Sequence, residues 1–256
     1  MPSFLIPAFG VTALLYAAIG FGGGSTYTAL LAISGTDYQL LPIISLCCNI
    51  IVVSGGTWRF AQAGAIDWRR IWPLFLLSIP AAWFGGQLPV GELAFTALLA
   101  GALGIAGLLI LLQSKDAQDN HNIDNKPAKK RVLLNLAIGG GLGFLAGVTG
   151  IGGGIFLAPI LYLIHWGPPR AIAGAASLFI LLNSLAGLAG QFTNLNGDNG
   201  AALLSYWPLL LAVLLGGACG SWLGALRLPL NWLRRGTALL IILVSLRLFW
   251  RAITLL

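Results

Sequence analysis

The chain is 256 residues long, 58% hydrophobic and only 8% charged, with a formal net charge of +7. Soluble domains average about 45–50% apolar and 25% charged residues, and several stretches here approach the roughly 20 apolar residues that cross a bilayer. An all-α polytopic membrane protein is therefore predicted, with the lipid bilayer as a partner. The excess positive charge sits in short loops and segment ends, where positive-inside orientation accounts for it, so nucleic acid is not expected as a partner.

The first apolar segment, residues 4–19, has no basic region ahead of it, because Arg59 is the first Lys or Arg in the chain. It is expected to be retained rather than cleaved as a signal peptide. Next comes GFGGGSTYTALLAIS, residues 20–34. Three consecutive glycines each cost about 1 kcal/mol relative to alanine inside a helix, so this run predicts a break. Residues 24–34 are too few to cross about 30 Å at about 1.5 Å per residue and should form a half-helix or re-entrant element. A polar turn at Asp37, an apolar stretch over residues 40–56, a basic loop over 58–70 and two further spans, 71–88 and 93–112, complete the first half.

Residues 113–131 are rich in Asp, Asn and Lys and cannot bury enough apolar surface to pack, which predicts a polar cytoplasmic linker. The second half then replays the first. A span over 132–150 precedes GIGGGIFLAPILYLI, residues 150–164, and spans over 171–190, 202–224 and 236–256 follow. Setting Gly22-Gly23-Gly24 on Gly152-Gly153-Gly154 puts Pro159 against Ala29. Ser177-Leu178 then falls close to Ser45-Leu46, and Trp222-Leu223-Gly224 resembles Trp83-Phe84-Gly85. The repeat period is about 130 residues, which defines an internal duplication. Two membrane repeats, 1–112 and 132–256, are predicted, each a glycine-broken unit plus three membrane helices.

Charge distribution bears on how the halves relate. If each glycine-broken unit crosses once, the halves are parallel, and Arg170, Arg227, Arg234 and Arg235 face away from the other basic residues. If each unit doubles back, the halves insert upside down relative to each other, and only Arg247 and Arg251 of the 14 Lys and Arg residues face away. Positive-inside reasoning favours the inverted repeat, with both termini outward.

A helix N-terminus presents unpaired N–H groups and about half a positive charge, which makes it an anion site without a basic side chain. Gly22, Gly23, Gly24, Ser25 and Thr26 at the first break, and Gly152, Gly153, Gly154 and Ile155 at the second, are the candidate substrate-binding residues. In an inverted repeat the two ends would meet near the midplane, as discontinuous helices do in transporters. Close packing is the competing reading of glycine in membrane helices, and Gly216, Gly220 and Gly224 are assigned to it. Ser45, Cys48 and Asn49 share one face of the following helix; Ser177 and Ser184 share a face of its counterpart, with Asn183 adjacent. Ser45, Asn49, Ser177 and Asn183 join the candidate set, while Thr149 and Tyr27 are weaker members. Arg59 and Gln191 close corresponding helices and are candidates for gating or steering, with interfacial anchoring the blander role.

Every Asp and Glu falls in a loop or turn, so a carboxylate proton relay is not expected. His121 and His165 have no neighbours that would form a metal site or a triad, and Cys47, Cys48 and Cys219 read as buried, reduced thiols. No catalytic residue, metal or cofactor is predicted, and the chain is not expected to be an enzyme.

The glycine motif in both halves, the AGAASLFILLNSLAG segment and the RFAQAGAIDW loop together resemble the sulfite exporter TauE/SafE family of membrane permeases. That resemblance covers essentially the whole chain. It implies transport of a small sulfur-containing or organic anion, such as sulfite, sulfoacetate or a related sulfonate, across a bacterial inner membrane. The alternatives are an anion channel of the same architecture and a membrane assembly factor that transports nothing. Homo-oligomerisation, the coupling ion and the direction of transport stay open.

Overall fold

The computed structural model describes residues 2–19, 21–112, 128–164, 166–194, 202–223 and 230–254. The described residues form helices without strands: α1 (Leu5–Ile19), α2 (Gly24–Ile33), α3 (Leu40–Gln62), α4 (Trp68–Gln87) and α5 (Glu92–Leu112), then α6 (Ala128–Thr149), α7 (Gly154–Leu163), α8 (Pro169–Gln191), α9 (Trp207–Leu223) and α10 (Leu230–Thr254). Among the described residues, five segments are long and apolar enough to cross a membrane, and α1 and α7 are shorter apolar helices. Helices break where the glycines predict, between Ile19 and Gly24 and between Thr149 and Gly154. In each half a ten-residue helix follows the first helix and three longer helices follow it, as a duplicated chain requires.

Helix ends depart from the expectations where hydropathy stops but nothing breaks the backbone. α3 continues through Trp58 and Arg59 to Gln62 instead of yielding to a loop, and the chain turns at Gly64, whose φ is 64°. α6 begins at Ala128, inside the stretch assigned to the linker, and α10 begins at Leu230 rather than residue 236. Apolarity marks the part of a helix that meets hydrocarbon; Ala, Lys and Arg are good helix formers and extend it into the polar zone. Cys47, Cys48 and Cys219 are free, but only Cys48 is buried; Cys47 is half-buried and Cys219 exposed, the latter because Gly216 and Gly220 occupy the face of α9 turned to α1. Gly20, residues 113–127, His165, Asp198, Gly224 and Arg227 lie outside the described residues.

Glycine contacts set the helix directions. A Cβ on Gly139, Gly143 or Gly147 of α6 would strike the carbonyls of Leu74, Ser78 and Ala82 of α4, so numbering rises together and the helices run parallel. Gly216 and Gly220 meet Gly10 and Leu14 in the same way, making α9 parallel to α1. Such backbone approaches replace the hydrophobic effect as the packing force between helices in lipid. α8 also runs with α4, since Gly174 lies by Ala65 and Gly190 by Trp83. The starts of α4, α6 and α8 are tied together by Arg70, whose guanidinium donates to the Trp166 carbonyl at 3.1 Å and whose carbonyl accepts from Asn135 at 3.4 Å. Because α6 and α8 point the same way, α7 between them leads back toward the end from which α6 set out.

Two pairs of corresponding helices run antiparallel. On α5 and α10, Glu92 pairs with Arg251 at 2.7 Å, and the Ala100 carbonyl accepts from Ser245 at 2.8 Å. On α3 and α8, Thr57 bonds Ser177 at 2.9 Å while Leu46 packs on Gly187. The buried core, including Phe9, Tyr27, Leu46, Leu157 and Phe179, fills the space between the helices. Outside it stand exposed Leu133, Leu215, Trp222 and Trp250, an apolar exterior suited to lipid.

Candidate functional site

The two glycine breaks touch. A Cβ on Gly24 would strike the Ile151 carbonyl, immediately ahead of the second run, and the Asn49 amide. Asn49 reaches both breaks: its Oδ1 lies 2.8 Å from the Cβ position of Gly22, and its Nδ2 lies 2.7 Å from that of Gly152. Ile180 wedges between the same two glycines, its Cγ2 at 3.2 and 3.1 Å from those positions, and it also faces Gly154. Asn49 and Ile180 stand near the middle of the long helices α3 and α8, so the breaks meet halfway along the bundle.

The runs need glycine for different reasons. Gly152 and Gly153 have φ of 81° and 73°, a left-handed backbone that disfavours other residues. Gly23 has φ of −90° and is held to glycine by space, with Thr12 Cγ2 at 2.8 Å and the Tyr27 ring at 2.9 Å from its Cβ position. Neither α2 nor α7 receives a side-chain hydrogen bond at its N-cap. Two ten-residue helices thus present uncapped positive ends to a buried region.

Contacts around the breaks correct the register of the duplication. Asn49 and Val53 surround Gly22 as Ile180 and Ser184 surround Gly152. Asn49 therefore corresponds to Ile180 and Val53 to Ser184, one residue from the alignment that set Ser177 on Ser45. The connection after the second half-helix carries one residue more before the equivalent point on the long helix, a shift that short Ser-Leu matches do not detect.

The candidate residues separate into groups. Ser45 is buried and donates to the Gly24 carbonyl at 3.1 Å, with Thr28 Oγ1 at 3.0 Å from it and 2.8 Å from the same carbonyl; this network pins α2 to α3. Ser25 and Thr26 are buried in the first turn of α2, Thr26 bonding Tyr16 at 3.1 Å, and Ile155 is half-buried. Asn49 donates weakly to the Ile151 carbonyl at 3.3 Å, and its Oδ1, though buried, has no partner. Asn183 bonds its own helix at Phe179, 2.8 Å away, while the neighbouring Ser184 stands 3.3 Å from the Cβ position of Gly152 with its buried Oγ unpartnered. Ser177 is engaged with Thr57, away from the crossing. Thr149 bonds the Leu145 carbonyl of its own helix. Tyr27 stacks on Phe9 with centroids 4.8 Å apart, and its hydroxyl is a third buried, unpartnered group beside the breaks. Arg59 is exposed, with its Nε 3.4 Å from the Gly55 carbonyl, and Gln191 donates to the Gly147 carbonyl at 2.9 Å, bracing α8 on α6.

Sequence reasoning did not select Ile180 or the Ile151 carbonyl. An apolar side chain in an apolar helix carries no pattern signal, and a backbone carbonyl carries none at all. Ser184 was legible as the partner of Ser177 seven residues on.

A bundle of apolar helices with two broken helices meeting inside it defines a multi-pass helical membrane protein with a buried polar crossing. The comparisons with known proteins agree. The family described as sulfite exporter TauE/SafE matches residues 5–248, so the chain belongs to that family of membrane transporters. A protein of Sinorhizobium fredii named as a probable membrane transporter protein is 32% identical over 244 residues, covering 95% of this chain and 96% of its own. Similarly named proteins of Methanocaldococcus jannaschii and Haemophilus influenzae are each 27% identical, covering 75% and 90% of this chain and 73% and 91% of their own. No solved structure matches the chain.

Proposed function

We propose that the protein moves a small sulfur-containing or organic anion, such as sulfite, sulfoacetate or a related sulfonate, across a bacterial inner membrane. The anion is held between the N-termini of α2 and α7. The observation that carries this reading is the meeting of two uncapped helix starts, with Gly24 against Ile151 and Asn49 touching both breaks. Each start contributes about half a positive charge and several unpaired N–H groups, and irregular backbone at membrane depth is tolerated where it lines a site. The antiparallel pairing of α5 with α10 and α3 with α8, together with the return of α7, supports inverted halves that rock about this crossing to expose it alternately. Arg59 and Gln191 stand outside the crossing, and steering at the cavity mouth is the role left to Arg59.

The test is flux into liposomes loaded with purified protein, using labelled sulfite and sulfonates over a concentration series. Saturable flux that Gly153→Leu abolishes supports the transporter. Linear, non-saturating flux replaces it with a channel, and the absence of any anion flux overturns the proposal.

A further inference from the structure

Two helix ends at about half a positive charge each sum to about one unit. The described residues add no buried Lys, Arg or His to that sum; the buried side chains with polar atoms, Ser, Thr and Asn together with Tyr16, Tyr27, Cys48 and Trp166, are uncharged. A monovalent anion is thereby balanced, whereas a dianion brings a second charge into a low-dielectric region with nothing to pair it, which is costly.

Orientation of the polar groups narrows the ligand further. The Ile151 carbonyl accepts a hydrogen bond, so the Asn49 amide must turn its Nδ2 that way, leaving Oδ1 toward Gly22 as a buried acceptor without a donor. A buried acceptor left without a donor is destabilising and calls for a ligand hydrogen. Across the crossing, at Gly152, the unpartnered Ser184 hydroxyl has a proton to give. The corresponding positions of the opposite half are Ile180 and Val53, which can do neither. The two halves therefore share the charge-binding backbone, while the hydrogen-bonding side chains are distributed unequally between them.

Resting on the anion site proposed above, we infer that the crossing selects a singly charged anion that carries its own hydrogen-bond donor, such as a hydroxyalkanesulfonate or a singly protonated sulfur oxyanion, which among the anions named above favours singly protonated sulfite and sets aside sulfoacetate, a dianion at neutral pH. Asn49 Oδ1 accepts from the donor, and Ser184 Oγ gives its proton to an oxygen of the anion. Both are specificity-determining side chains; the charge is met by the helix ends.

The experiment compares isethionate, ethanesulfonate and sulfate as ligands of the full chain in detergent, at matched pH and ionic strength, by thermal shift over a concentration series. The first two differ by one hydroxyl, the third by charge. Isethionate should half-saturate at about tenfold lower concentration than ethanesulfonate, the worth of one well-made hydrogen bond, and sulfate should give no shift. Asn49→Leu should bring the two sulfonates together, and Ser184→Ala should weaken both. Equal binding of the two sulfonates to the unaltered chain overturns the donor requirement, and a sulfate shift as large as theirs overturns the charge selection; both results leave the anion site standing. No shift with any of the three overturns the anion site itself.

Discussion

Replacing Gly24 by alanine separates a glycine that serves the site from one that serves packing. The new methyl would press on the Ile151 carbonyl and the Asn49 amide. The carbonyl is backbone and yields only if the second break moves. Overpacking of this kind costs about 1–3 kcal/mol, or about 2–4 °C of melting temperature per kcal/mol for a chain of this size. Gly220→Ala is the matched control, because its methyl meets the Leu14 carbonyl at the interface of α9 with α1 rather than either glycine run. Gly141→Ala is the open control, since nothing lies within 4 Å of its Cβ position, and it should gain up to about 1 kcal/mol of helix propensity. Each variant is melted with and without a saturating anion, which stabilises by about 2.7 kcal/mol at a hundredfold excess over Kd. Gly24→Ala and Gly220→Ala should both melt lower, but only Gly24→Ala should lose the anion-induced rise. A Gly24→Ala protein that keeps the full rise would refute the placing of the ligand between the breaks.

Thr28→Val removes the hydroxyl that joins α2 to Ser45 and Gly24; hydrogen bonds between membrane helices average about 0.6 kcal/mol, so the melting temperature should fall slightly, and an unchanged value would show that the network does not hold the half-helix. Ile180→Ala should cost about 2–5 kcal/mol as a large-to-small core change and widen the crossing, seen as faster flux of bulkier sulfonates relative to small ones; unaltered size preference would remove Ile180 from the pathway. Arg59→Gln should slow anion uptake at low salt and have no effect near 1 M salt, where the Debye length shrinks to about 3 Å; an effect independent of salt would refute steering. Cysteines placed at Ser3 and Ser114 in a chain lacking Cys47, Cys48 and Cys219 should label from opposite faces of the membrane if each half crosses an odd number of times; labelling from the same face would refute inversion.

Composition, hydropathy and the doubled glycine run were sufficient to read an all-α membrane protein made of two repeats, because both lipid burial and helix breaking are local properties of residue type. They located the breaks at Ile19–Gly24 and Thr149–Gly154 and brought Asn49 into the candidate site through its i, i+4 relation to Ser45. What they could not supply was register and partnership. Whether Ser45 points at substrate or at the Gly24 carbonyl depends on a neighbouring helix, and so does the engagement of Gln191 with Gly147. The contact of Gly24 with the Ile151 carbonyl is backbone against backbone across more than a hundred residues of chain, and no side-chain pattern encodes it. The difference between Asn49 and its counterpart Ile180 likewise emerges only when both surround the same pair of glycines. Local chemistry chose where the helices would break; only the packing of one half on the other decided that the breaks would meet and which side chains would surround them.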